Sequence, residues 1–211
     1  MDARPGVNLP KTKRGEATFD KILEAAEEVF GEKGYHEASV TAITERAGIG
    51  NGTFYLYFKT KKDVFQQLIE HLHYNIKQRL SRLASGLQDR AEVEAVGLRA
   101  FHEYIVEHKD LYKLIREAEA VDEDLFKWYY QEFAKSYTKQ LQAAMDGGKL
   151  RPMNPEALAY CLIGINVFTG MRWSVWEGRE APEEMLDTIV DFILYGLKGG
   201  GQNEGTGDSR E

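Results

Sequence analysis

The chain has 211 residues, 43% of them hydrophobic, with a formal net charge of −7 and a single cysteine, Cys161. That is enough apolar residue for the core of one or two domains, while one cysteine excludes an intramolecular disulfide. No apolar run is long enough for a membrane span or a signal peptide, so the expected compartment is the cytoplasm.

The first fourteen residues, with Lys11, Lys13 and Arg14, read as a flexible basic arm, roughly the first dozen of them disordered. Phe19, Ile22, Leu23, Ala26, Val29 and Phe30 then recur at three- and four-residue spacing with charges between them, and Gly34 follows as a C′ stop, which predicts a first helix. Ser39 is a good N-cap for a short second helix in which Val40, Ile43 and Ala47 share a face, and Gly48 ends it. Next comes "GNGTFYLYF", residues 50–58, whose Asn-Gly pair and β-favouring residues taken alone signal a hairpin. Its flanks decide otherwise. Thr60 and Asp63 have the spacing of a capping box ahead of an amphipathic run through Val64, Phe65, Leu68 and Leu72, so helices bracket the stretch and no strand is available to pair with it. Read as a helix over 51–57, it puts Phe54 and Phe58 on one inner face and leaves Asn51, Tyr55, Leu56 and Tyr57 outside, across a tight Gly48-Ile49-Gly50 turn. That is a helix-turn-helix with an exposed reading face.

Residues 16–65, with "ILEAAEEVFGEKGYHEASVTAITERAGIGNGTFYLYFKTKKDVF" at their centre, resemble without a gap the N-terminal DNA-binding domain of the TetR family of bacterial transcriptional regulators. The resemblance covers the first helix, the Gly34-Tyr35 corner, the Ala47-Gly48-Ile49 turn, the Thr53-Phe54-Tyr55 start of the reading helix, Tyr57-Phe58 and Lys61. It implies a dimeric repressor on a palindromic operator, released by a small effector, and a phosphate contact at Lys61. The residues themselves add Ser39, Thr41 and Tyr57 as backbone contacts, and Gly50 and Gly52 as points of close approach. Asn51 and Tyr55 would meet base edges, with Thr53 beside them and Leu56 for a thymine methyl. The net charge is compatible with this. Residues 1–65 are neutral, with ten basic and ten acidic side chains, and the whole acidic excess lies beyond them.

Helical patterns continue near 61–84, 89–107, 110–118, 122–147, 154–178 and 182–197, broken at Pro152, Pro155 and Pro182. The expected fold is all-α: an HTH head over 15–60, then a ligand-binding and dimerisation domain over 61–197 entered by a long fourth helix, about nine helices in all. The Gly-rich tail 198–211 is expected to be disordered. The last two helices carry more apolar surface than one core needs, through Leu162, Phe168, Trp176, Met185, Ile189 and Ile193 among others, and are expected to form a two-fold homodimer interface. Aromatic residues crowd the middle of the chain and suggest an apolar effector pocket lined by Phe101, Tyr104, Tyr112, Ile115, Tyr130 and Phe133. Asn166, Thr169 and Arg172, three apart on an apolar helix, are candidate polar liners, with Arg172 as the anchor for an acidic or acyl head group.

Other classes fare poorly. There is no G-x-S-x-G and no P-loop; His102-Glu103 begins an H-E-x-x-H but meets Val106 where the second histidine is required. The expected partners are therefore double-stranded operator DNA, a small-molecule effector and a second copy of the chain, with no membrane, metal, cofactor or catalytic residue. The remaining rival is an interaction module whose helix-turn-helix no longer binds DNA.

Overall fold

The computed structural model describes residues 6–196; residues 1–5, Leu197 and the tail over 198–211 lie outside the described residues. The helices are α1 (Lys13–Glu37), α2 (Val40–Ala47), α3 (Asn51–Tyr57), α4 (Lys61–Leu83), α5 (Arg90–Glu107), α6 (Leu111–Val121), α7 (Glu123–Asp146), α8 (Pro155–Gly170) and α9 (Glu183–Tyr195), and a π-helical turn over Met171–Val175 prolongs α8. Among the described residues the only strand-like pairing is one isolated antiparallel bridge, Val7 to Phe58.

Local chemistry sets the ends of the head's helices. The Thr12 side chain accepts from the Gly15 N–H to open α1, and Ser39 accepts from Ala42 to open α2. Gly34 breaks α1 at φ 77°, and a side chain there would also meet the Glu117 carboxylate 2.7 Å away. Gly48 closes α2 in the left-handed region, as expected. Thr60 and Asp63 form a complete capping box at α4, each side chain satisfying the other's backbone N–H. Segment 50–58 is a helix and its cap, not a hairpin: Phe54 and Phe58 are fully buried.

Ile22, Ala26 and Phe30 of α1, Ile43 of α2, Phe54, Phe58 and the first half of α4 form the head's core. That core runs without a break into the second half of the molecule through Leu72, Ile76, Ile105, Leu114 and Tyr129. Helix α4 is the shared spine, packed on α1 at one end and on α5 and α7 at the other.

Two expectations need correction. The arm taken as flexible over 1–14 is held from Gly6 onward: Val7 is buried, Asn8 N–H donates to the Tyr57 carbonyl and Lys59 N–H to the Gly6 carbonyl. The reason is that α3 is only seven residues long and leaves carbonyls that need donors. Lys13 and Arg14 already belong to α1. The helix expected over 154–178 ends at Gly170, where a side chain would meet the Tyr112 hydroxyl at 2.7 Å, and continues as the π-helical turn. No helix among the described residues is long and apolar enough to cross a membrane.

Candidate nucleic-acid interface and effector cavity

The reading face is open. Ser39, Thr41, Gly50, Asn51 and Gly52 are exposed, Thr53 and Tyr57 are half-buried, and Tyr55 and Leu56 are 53% and 66% accessible although both are large. Asn51 opens α3 with its carbonyl accepting from the buried Thr44 hydroxyl at 2.7 Å, and its amide N–H pair has no hydrogen-bond partner among the described residues. Nothing lies within 4 Å of where a Cβ would stand at Gly50 or Gly52, and neither has a positive φ. Packing within the chain therefore does not require glycine at either position, and Gly52 weakens a short helix. Tyr57 sits edge-on to Phe19 at 5.7 Å, so its ring also braces α3 against α1.

Lys61 differs from expectation. Its ammonium donates to three backbone carbonyls, Tyr35 at 2.6 Å, His36 at 3.1 Å and Ala38 at 2.8 Å, and lies 4.5 Å from the Tyr35 ring centre. All three protons are committed to the chain that leaves α1 beyond Gly34, so in this structure Lys61 locks the α1–α2 corner and has no proton to offer a phosphate. Lys62 beside it pairs with Asp122 at 3.1 Å. A residue outside the expected set, Asn8, gives its side-chain amide to the Leu56 carbonyl at 2.9 Å and its backbone N–H to Tyr57 at 2.7 Å, closing the C-terminus of the reading helix from fifty residues away. Nothing in the local sequence around Asn8 announces this.

In the second half, a cavity of about 370 Å³ lies between α4, α5, α6, α7 and α8, within the range of small-molecule sites. Phe101, Tyr112, Ile115, Tyr130, Phe133 and Asn166 line it as expected. Tyr104, Thr169 and Arg172 do not. Tyr104 is buried behind the wall, with its hydroxyl on the Leu72 carbonyl and its ring 4.3 Å from His108. The Thr169 hydroxyl lies 3.1 Å from His102 and also turns back to Ile165. Arg172 is exposed, paired with Glu177 and 5.9 Å from the Trp173 ring centre. Three-residue steps on a helix of 3.6 residues per turn rotate about 60° each, so two steps carry Arg172 about 120° from Asn166, and the π-helical turn shifts it further.

The sequence reading missed much of the polar part of the wall: Lys77 and Ser81 from α4, Glu94 from α5, and Lys139 and Gln140 from α7. Beside the cavity, His73 is packed among Trp128, Tyr129 and Phe133, and burial brings its pKa down to about 4. His102 is likewise brought to about 4 by burial. Both keep an Nδ1 without a hydrogen-bond partner.

Against known proteins, a family model described as bacterial regulatory proteins, tetR family, matches residues 22–68. The HTH-type transcriptional regulator YvdT of Bacillus subtilis is 31% identical over 193 residues, spanning 90% of this chain and 98% of that protein. The chain belongs to the TetR family of bacterial regulatory proteins. Among other relatives of this TetR-family regulator, the transcriptional activator FasR of Mycolicibacterium smegmatis is 32% identical over 92% of this chain and 87% of its own length. The fold is also that of FadR from Bacillus subtilis, solved in complex with stearoyl-CoA, with a TM-score of 0.76 at 18% identity over 85% of this chain and all of that one.

Proposed function

We propose that this regulator binds a palindromic operator as a two-fold dimer, with α3 of each head in the major groove, and that an effector with a long apolar chain enters the cavity and releases the DNA. The apolar cavity is the observation that carries the regulatory half of this reading: a pocket of about 370 Å³ walled by Phe101, Tyr112, Ile115, Tyr130 and Phe133. A largely apolar concavity of that size with a few polar groups on its wall is the usual form of a small-molecule site.

Helix α6 connects the cavity to the head. Leu111, Tyr112 and Ile115 face the cavity, while Lys113 holds the Gly31 carbonyl and Glu117 receives the Tyr35 N–H at 2.8 Å. Asp122, where α6 meets α7, takes Lys62 and Gln66 of α4. Burial opposes the charge on Asp122, but the Leu125 N–H, Gln66 and Lys62 together keep its carboxyl below the usual range. A chain that fills the cavity displaces α6, and α6 holds both α1 and α4, so the spacing of the two heads follows. The effector shifts DNA affinity only by its differential affinity for the two arrangements.

Three further features support the reading. Phe168, Val175, Trp176, Met185, Phe192 and Tyr195 are all exposed along α8, its π-helical turn and α9, an apolar face of the kind that a second copy covers. Lys77 and Lys139 line the cavity without an ion-pair partner among the described residues, which favours an effector whose anionic part lies near them. The stearoyl-CoA bound by the Bacillus subtilis FadR is an effector of that general form. The test is a gel shift on the chain's own upstream DNA with and without a C12 to C18 acyl-CoA series. A retarded dimer complex that dissociates with acyl-CoA supports the proposal. No shift at low salt, or tighter binding with acyl-CoA, contradicts its DNA-binding or its release part respectively.

A further inference from the structure

An apolar effector does not explain Glu94. The residue is part of the cavity wall, yet it is only 6% exposed, and its carboxylate is held from two sides: the Arg90 guanidinium, one turn back on α5, pairs with Oε1, and the Tyr137 hydroxyl from α7 donates to Oε2. Arg90 is itself largely buried and lies 5.8 Å from the Tyr137 ring centre. Replacing such a buried pair by apolar side chains is often neutral or stabilising, so stability alone is a weak reason for it to be there. A carboxylate has room for about four donors, and two of those places are filled. The remaining acceptor capacity belongs to the wall of a cavity that is otherwise mostly aromatic and aliphatic.

We infer, building on the cavity reading above, that the effector carries a hydrogen-bond donor, a hydroxyl or an amide N–H, beside its apolar chain, and that Glu94 receives it. The chemistry disfavours a simpler ligand. A neutral chain with no donor would displace water from the carboxylate and offer nothing in return, which costs the unmade bond. A donor converts the same surface into a charge-assisted hydrogen bond, among the stronger kinds available to a neutral ligand. The hydroxyl could lie on the chain itself, or the N–H could come from an amide in the handle that bears the chain. Both present the same donor to Glu94.

The experiment is isothermal titration calorimetry on the full chain with four C12 ligands: methyl 3-hydroxydodecanoate, N-methyldodecanamide, methyl dodecanoate and dodecanoate. Wild type is expected to bind at least one donor-bearing ligand about tenfold or more tightly than methyl dodecanoate. The better of the two donors identifies its source. Glu94→Gln should reduce that preference to about threefold or less while binding methyl dodecanoate at least as well as wild type. Should Glu94→Gln fail to fold, the double variant Arg90→Met, Glu94→Leu leaves no buried charge unpaired and should also abolish the preference. Methyl dodecanoate binding as tightly as both donor-bearing ligands, or a donor preference that survives in the variants, overturns the role of Glu94. If none of the four binds wild type, the reading of the cavity as an acyl site falls, and the role of Glu94 falls with it.

Discussion

The two halves of the molecule are built differently. In the head, Phe30, Phe54, Phe58 and Phe65 are fully buried, α1, α2 and α4 begin at side-chain caps, and Lys61 and Asn8 supply donors to backbone carbonyls. The other half holds an apolar cavity of about 370 Å³ and keeps the Nδ1 atoms of His73 and His102 and the Ser174 hydroxyl buried without partners among the described residues. A unit whose buried side-chain polar groups are bonded holds one shape. A unit with an apolar pocket and unmatched buried polar groups lies closer in energy to alternatives, which a switch requires. The difference assigns recognition to the head and adjustment to the rest, with α6 and α4 joining them.

Acid should produce the largest contrast. His73 and His102 titrate near 4 in the folded protein against an ordinary 6.5, so between those values the unfolded chain binds more protons than the folded one. Their contribution to stability is intact above pH 6.5 and is lost as pH falls toward 4, by up to about 3 kcal/mol per histidine. Trp128, Trp173 and Trp176 all lie beyond the head, so selectively excited tryptophan fluorescence during acid titration reports on that half. His73→Leu should flatten the pH dependence of the unfolding free energy over this interval; an unchanged slope would show that the histidine does not resist protonation.

Next in size is Lys61→Ala. Removing a cation that serves three carbonyls should cost about 2 kcal/mol of stability in denaturant unfolding. The salt dependence of DNA binding should stay as in wild type. A stable variant whose salt slope falls by about one would return Lys61 to the phosphate backbone and weaken the picture of a self-satisfied head.

Tyr55→Ala should lower operator affinity by about tenfold, while stability changes by no more than about 0.5 kcal/mol, because the ring is already half in solvent. A large loss of stability would place Tyr55 in the head's architecture instead of on its reading face. Asn8→Ala is the smallest effect. It leaves the Leu56 carbonyl without its side-chain donor and should cost about 1 kcal/mol or less, seen as faster amide exchange in the last turn of α3 and a few-fold weaker operator binding. Unchanged exchange would mean that the N-terminal segment is not needed to close the helix.

The same contrast explains what the sequence made readable. Ser39, Gly48, Thr60 and Asp63 act on residues three or four away, so α2, α3 and the start of α4 follow from spacing, even where the Asn51-Gly52 pair argues for a hairpin. The cavity wall is assembled from opposing faces of helices as far apart as Lys77 and Asn166, and aromatic composition found only part of it. Glu94 and Tyr137 have no motif: each is an ordinary helical residue until α5 and α7 bring them together. Arg172 shows the opposite error, since regular three-residue spacing looked like a shared face but rotates away from it. Asn8 and Lys61 lie between these cases, short on local signal because their partners are backbone carbonyls 48 and about 25 residues away.

The central claim is that what fills the cavity controls the grip of the head on DNA. Fluorescence anisotropy on a labelled fragment of the chain's own upstream region tests it most directly, titrated with protein alone and with protein saturated by the C12 ligand that calorimetry shows to bind best. The account predicts operator affinity at least about fivefold weaker with the cavity filled. Saturated binding of that ligand with operator affinity unchanged would contradict it.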